Sequence, residues 1–122
     1  MPPTVINLEQ ALSRFHEHWN PKIIGDVSGH HIKLAKLQGE FVWHLHERED
    51  EMFMVLHGTL TMRFRDGDVD VKPGELIVVP AGTEHLPVAL EEVHVLLVEP
   101  SSTLNTGNVR NERTVDVVDR LT

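Results

Sequence analysis

The chain has 122 residues, a formal net charge of −8 from 11 Lys+Arg against 19 Asp+Glu, nine histidines and no cysteine. That is the length of one domain, roughly 100–150 residues, and it is long enough to bury a core without disulfide staples. The missing cysteine excludes disulfides, CxxC redox pairs and thiolate metal sites. The acidic balance argues against non-specific nucleic-acid binding, which needs a basic footprint.

The start, Met1-Pro2-Pro3-Thr4-Val5-Ile6-Asn7, has neither a basic n-region nor an apolar h-region. Apolar runs are short throughout, as in Leu76–Val79 and Val95–Val98, far below the ~20 residues of a membrane helix. A cytoplasmic protein is the expectation. Leu8, Ala11, Leu12, Phe15 and Trp19 recur at helical spacing and predict one amphipathic helix over 7–19. Asn7 is its N-cap, Gln10 the capping-box partner, and Asn20-Pro21 its stop.

Everything after the helix reads as strands. Lys22–Val27 ends at Ser28-Gly29, and Ile32–Leu37 runs to Gly39. Phe41–His46 alternates, with Val42, His44 and His46 on one face and Phe41, Trp43 and Leu45 on the other. Met52–Leu56 follows a charged loop and ends at His57-Gly58; Leu60–Phe64 leads into Asp66-Gly67, a tight-hairpin signal. Leu76–Val79 is a buried-strand run closed by Pro80-Ala81-Gly82, and Leu86–Leu90 with Val93–Glu99 reads as a last hairpin around Glu91-Glu92. Short strands punctuated by Gly and Pro predict an all-β sandwich or barrel. From Pro100 onward the chain is a polar extension, where Val115, Val117 and Val118 suggest a final strand or a packing surface.

The informative stretch is Gly39 to Glu51. His44 and His46, two apart on a strand, project to one side and suit neighbouring positions on one metal ion. Glu51 opens an apolar strand, where a lone buried carboxylate is costly and coordination would offset that cost. Glu49 is the alternative carboxylate if the loop is registered differently. His85 follows the turn Pro80–Glu84 and is the fourth candidate. Three imidazoles and a carboxylate suit a divalent transition metal such as Mn, Fe, Ni or Zn, and do not suit Ca or Mg.

These residues resemble the two motifs of the cupin superfamily. Gly39, His44, His46, Glu51 and Gly58 trace the first, G-x5-H-x-H-x3-4-E-x6-G, with four residues rather than five between Gly39 and His44. Gly74, Pro80, Gly82 and His85 trace the second, G-x5-P-x-G-x2-H-x3-N, with Ala89 in place of the Asn. The resemblance covers about Gly39–Ala89. It implies a double-stranded β-helix, or jelly-roll, barrel, and one cupin domain over 1–122 with its core at 32–99 and an extension at 100–122. It also implies a metal at His44, His46, Glu51 and His85, and a metal-dependent enzyme of dioxygenase or isomerase type acting on a small polar molecule, with Glu51 as a possible base. A non-catalytic metal- or ligand-binding module is the alternative.

The other six histidines, His16, His18, His30, His31, His57 and His94, read as solvated or structural. Phe53 and Val55 share the parity of Glu51 and should line the interior, with Met52 and Met54 outside. Outward Met52, Met54, Phe41 and Trp43 would form an apolar patch, to be covered by the helix or by a second copy, and a homodimer is expected. Arg63 and Arg65 share one parity: facing inward they would anchor an anionic substrate, facing outward they leave a pocket of apolar walls and metal.

Overall fold

The computed structural model describes all 122 residues, Met1–Thr122. One short helix, α1 (Leu8–Leu12), precedes seven strands: β1 (Lys22–Val27), β2 (His30–Glu40), β3 (Glu51–His57), β4 (Leu60–Phe64), β5 (Gly67–Val71), β6 (Leu76–Val79) and β7 (His85–Pro100). All pairings between strands are antiparallel, in the order β1-β2-β7-β3-β6, with β4 joining β7 and β5. The strands wrap into the jelly-roll barrel that the motifs implied. No helix is long and apolar enough to cross a membrane.

Strand β7 organises the barrel. Its first residues pair with β4 (His85 with Phe64, Val88 with Thr61), and its later ones with β3 (Val95 with Val55, Val98 with Met52). Strand β2 runs alongside both parts, from His30 opposite Pro100 to Glu40 opposite Val88. The expected hairpin around Glu91-Glu92 is therefore one continuous strand. Both of its halves find their partners on β2, and residues 90–92 bulge out where the register shifts between Leu37 and Gly39. Gly58 closes the β3–β4 turn at φ 80°, and a Cβ there would fall 2.7 Å from the Glu92 carbonyl oxygen at this bulge.

Inward residues of the strands meet in the main core, which includes Ala35, Leu37, Phe53, Val55, Leu60, Met62, Val93, Val95 and Leu97. Ala89, where the second motif has Asn, is a fully buried member of it. Alternation along β3 is as expected: Glu51, Phe53 and Val55 are buried, Met52 and Met54 less so.

The N-terminal helix is shorter than its periodicity suggests. Asn7 caps it, its side chain accepting from the Gln10 N–H at 2.9 Å. It ends at Leu12, where the Ser13 hydroxyl donates to the Gln10 carbonyl at 2.6 Å. Ala11 and Phe15 still pack on Ile24 and Leu34, flanked by Leu8, Leu12, Leu56 and Leu96, and so cover one outer face of the sheet. Trp19 leaves that stripe. At φ 58° the backbone turns, and the indole enters the main core, stacks on Phe41 at 4.8 Å and donates to the Gln38 carbonyl. Phe41 is thus an inner residue, contrary to the expected outward patch. Tertiary packing of an aromatic pair outweighs one more turn of helix.

Residues 101–122 form turns laid against the barrel. The valines at 115, 117 and 118 do not make the expected strand, and Val117 is exposed. Pairing occurs later, where Ile23 donates to Asp119 and accepts from Leu121, and Arg120 bonds Asp26.

Candidate metal centre

Four side chains from three segments converge inside the barrel. Their ligand atoms, one each from His44, His46, Glu51 and His85, all lie within 4.8 Å of one another, and all four residues are buried. Glu51 arrives as the first residue of β3 and His85 as the first of β7. His44 and His46 sit between β2 and β3 in a segment that is not a regular strand, contrary to the expected strand over 41–46. The chain is nonetheless extended there. His44 exchanges both backbone hydrogen bonds with His85 (3.1 and 2.9 Å), and the His46 carbonyl accepts from the Gly82 N–H at 2.7 Å. These bonds point both imidazoles inward, as the two-residue spacing required.

Hydrogen bonding sets the tautomers. His44 Nδ1 lies 2.9 Å from the Val42 carbonyl and His85 Nδ1 lies 2.8 Å from that of Thr83. A carbonyl only accepts, so each Nδ1 carries a proton; in the neutral ring the free lone pair is then on Nε2, the form a metal binds. His46 Nε2 lies 3.0 Å and His85 Nε2 3.3 Å from Glu51 Oε1, yet none of these three buried atoms has a hydrogen-bond partner. Buried polar atoms left without partners cost about 1–3 kcal/mol each. A cation among them satisfies all three at once, so the donor set fits a metal ion, and its N/O character fits a transition metal.

Protonation favours the same outcome. Burial, then the neighbouring His85, lower the His44 pKa to about 4, so the ring is neutral at pH 7. Burial alone would raise the Glu51 pKa, but the close approach of Glu99, His46 and His85 outweighs it and holds this carboxyl well below the usual range. Glu99 moves the opposite way: burial, then the facing Glu51, push it well above the usual range against the pull of Lys33.

Two openings reach the cluster. On the inner side, His44 and Glu51 line a cavity of about 40 Å³ walled by Trp19, Leu37, Phe41, Phe53 and Leu97. On the other, a polar cleft of about 430 Å³ reaches His46 between Glu47, Arg48, Glu49, Ser102 and Asn108. The C-terminal segment forms one wall of that cleft. Asn108 donates its N–H to the Leu45 carbonyl and accepts the Leu45 N–H on Oδ1, so it clamps the residue between His44 and His46. Gly107 (φ 56°) lies so close that a Cβ would overlap the Leu45 carbonyl and press on the His44 ring.

Other sequence candidates lie elsewhere. Glu49 is held by the Ser102 hydroxyl at 2.8 Å and is not among the converging donors. Arg63 and Arg65 face outward, beside Asp68 and Glu84, with the Arg65 guanidinium 3.7 Å from the centre of the Trp43 ring. The pocket therefore has apolar walls and no interior arginine. His18 and His94 flank Glu92 at 2.7 and 2.8 Å, a tie between the N-terminal segment and β7. Sequence reasoning missed Lys33, Glu99 and the C-terminal clamp. Parity with Val93, Val95 and Leu97 was the available signal for Glu99; nothing local marked Gly107 or Asn108.

Residues 30–99, more than half of the chain, match the cupin domain family. The chain belongs to the cupins. This cupin is 40% identical over 63 residues to the uncharacterized protein YdbB of Bacillus subtilis, a match spanning 51% of the chain and 56% of that relative's length. A cupin-2 domain protein of Shewanella frigidimarina shares 44% identity and superposes with a TM-score of 0.78, covering 79% of this chain and 94% of that one. The Neisseria meningitidis protein NMB1881 shares 33% identity at a TM-score of 0.73, covering 80% of this chain and all of that one.

Proposed function

We propose that this cupin is a metal-dependent enzyme of dioxygenase or isomerase type acting on a small polar molecule, with one divalent transition metal held by His44, His46, Glu51 and His85. The observation that carries the reading is the convergence of buried donor atoms that have no other partner. Such an ion supplies Lewis acidity and open coordination positions. The polar cleft at His46 is within the ~300–1,000 Å³ range of small-molecule sites. His46 lines it, so a polar substrate group entering there comes directly to the donor cluster, and Arg48 stands at its edge. Glu51, the one carboxylate of the set, is the residue we assign to proton transfer.

A second reading, a binding module without turnover, is favoured by one feature. The inner cavity, at about 40 Å³, holds a water or two but no organic substrate. We also infer a homodimer. Met52 pairs with Val78 and Met54 with Leu76 on an outer face that the N-terminal segment does not cover, and Leu76 and Val78 are more than half exposed. Sedimentation as a monomer at micromolar concentration would refute the dimer.

Elemental analysis of untagged protein, with His44→Ala beside it, tests the metal. Stoichiometric Mn, Fe, Ni or Zn in the wild type, lost in the variant, is expected. A wild type that carries no such metal and cannot be loaded refutes the reading. Turnover of small hydroxy- and keto-compounds by the loaded protein then separates enzyme from binding module.

A further inference from the structure

Glu51 has an unexpected neighbour. Because Met52 pairs with Val98 and Phe53 with Leu97, the register sets Glu51 opposite Glu99 across β3 and β7. Both side chains are almost wholly buried, so the same register brings the two carboxyl groups side by side on the inner face of the sheet. Like groups directly opposite on one sheet face are ordinarily destabilising, and burial makes each carboxyl costly. A cation stands behind the pair: Lys33 Nζ donates to Glu99 Oε1 at 2.8 Å, with only 2% and 3% of these side chains exposed. Glu99 Oε2 has no donor of its own. The result is a buried row, Lys33–Glu99–Glu51, ending where Glu51 Oε1 faces His46 and His85.

We propose that Glu99, anchored by Lys33, is a positioning residue for the metal ligand Glu51, fixing the direction in which that carboxylate meets the ion. The proposal rests on the metal reading above. A carboxylate ligand held by its own torsions alone swings between one- and two-oxygen coordination; a buried group packed against it from the facing strand restricts that freedom. The two imidazoles His44 and His85 are oriented in the same manner, by carbonyls. Glu51 has no such backbone partner, and Glu99 fills the role. Partners of this kind typically contribute on the order of 10–100-fold to metal affinity.

The test uses full-length protein stripped with chelator and loaded with Co(II). It measures the dissociation constant by chelator competition and the visible d–d spectrum, which reports ligand geometry. Glu99→Leu should weaken Co(II) binding by about 10–100-fold and alter the spectrum. Glu99→Gln can accept from Lys33 and donate to Glu51, so it should restore both values to near wild type. Lys33→Met should move both in the direction of Glu99→Leu. A folded Glu99→Leu with wild-type affinity and spectrum overturns the proposal. If that variant does not fold, Lys33→Met decides, and wild-type values in it overturn the proposal equally. A wild type that binds no Co(II) is a different result, because it refutes the metal site itself and the proposal with it.

Discussion

Replacing His85 by leucine separates what the site costs from what it binds. In the metal-free protein His85 Nε2 is fully buried without a partner. Leucine removes that orphan atom, worth about 1–3 kcal/mol, and forfeits the hydrogen bond to Thr83, worth about 0.5–1.5 kcal/mol. The apo variant should therefore be no less stable than apo wild type, unlike an ordinary core truncation. Metal reverses the order. At a free concentration 100 times the dissociation constant, binding stabilises wild type by about 2.7 kcal/mol. Unfolding entropy near 2.1 cal/mol/K per residue converts this to a rise of roughly 10 °C in Tm for a chain of this size. The variant, with three donors, should show little of that rise. Thermal unfolding with chelator and with Zn(II) or Mn(II) measures both. A full metal-induced shift in His85→Leu, or an apo variant that melts far below apo wild type, would refute the reasoning.

Acid should destabilise the apo protein through His44. Its pKa is lowered from 6.5 to about 4, so between these values the unfolded chain takes up a proton that the folded protein refuses. Stability is then lost as pH falls through that window, by about 3 kcal/mol in all; urea midpoints at pH 7 and 4.5 should show the loss, and His44→Phe should flatten it. Trp19→Ala removes the indole stacked on Phe41 and should cost about 3–5 kcal/mol, read from the same urea curves. Gly107→Val should force residues 101–122 away from Leu45, at a cost of at least ~1 kcal/mol. Limited proteolysis should then cut after Pro100 faster than in wild type, and unchanged cutting would show that the clamp is not what holds the segment.

Period and spacing carried much of this molecule. Alternation along β3 placed Glu51, Phe53 and Val55 inside, because a strand has a period of two wherever it lies. The same rule brought His44 and His46 to one side even though their segment is held by an isolated bridge to His85 and a bond to Gly82 rather than by a ladder. Helical periodicity was less dependable. Leu8 to Phe15 share a face, but Trp19 obeys Phe41 and Gln38, partners some twenty residues away that no local pattern reveals. Glu91-Glu92 looked like a hairpin because a bulge and a turn both expose polar residues; only the common partner β2 distinguishes them.

The candidate donors, their order and their pairing by parity were thus legible in the amino-acid sequence alone. Histidine and carboxylate are the metal-binding side chains that a cysteine-free chain possesses, and two-residue spacing acts locally. Tertiary structure decided which carboxyl faces Glu51, where Arg63 and Arg65 point, and what closes the cleft at His46. Each of these depends on register or contact between segments far apart in the chain. Glu51 and Glu99 are 48 positions apart in sequence, and they meet only because β3 and β7 pair with Met52 opposite Val98.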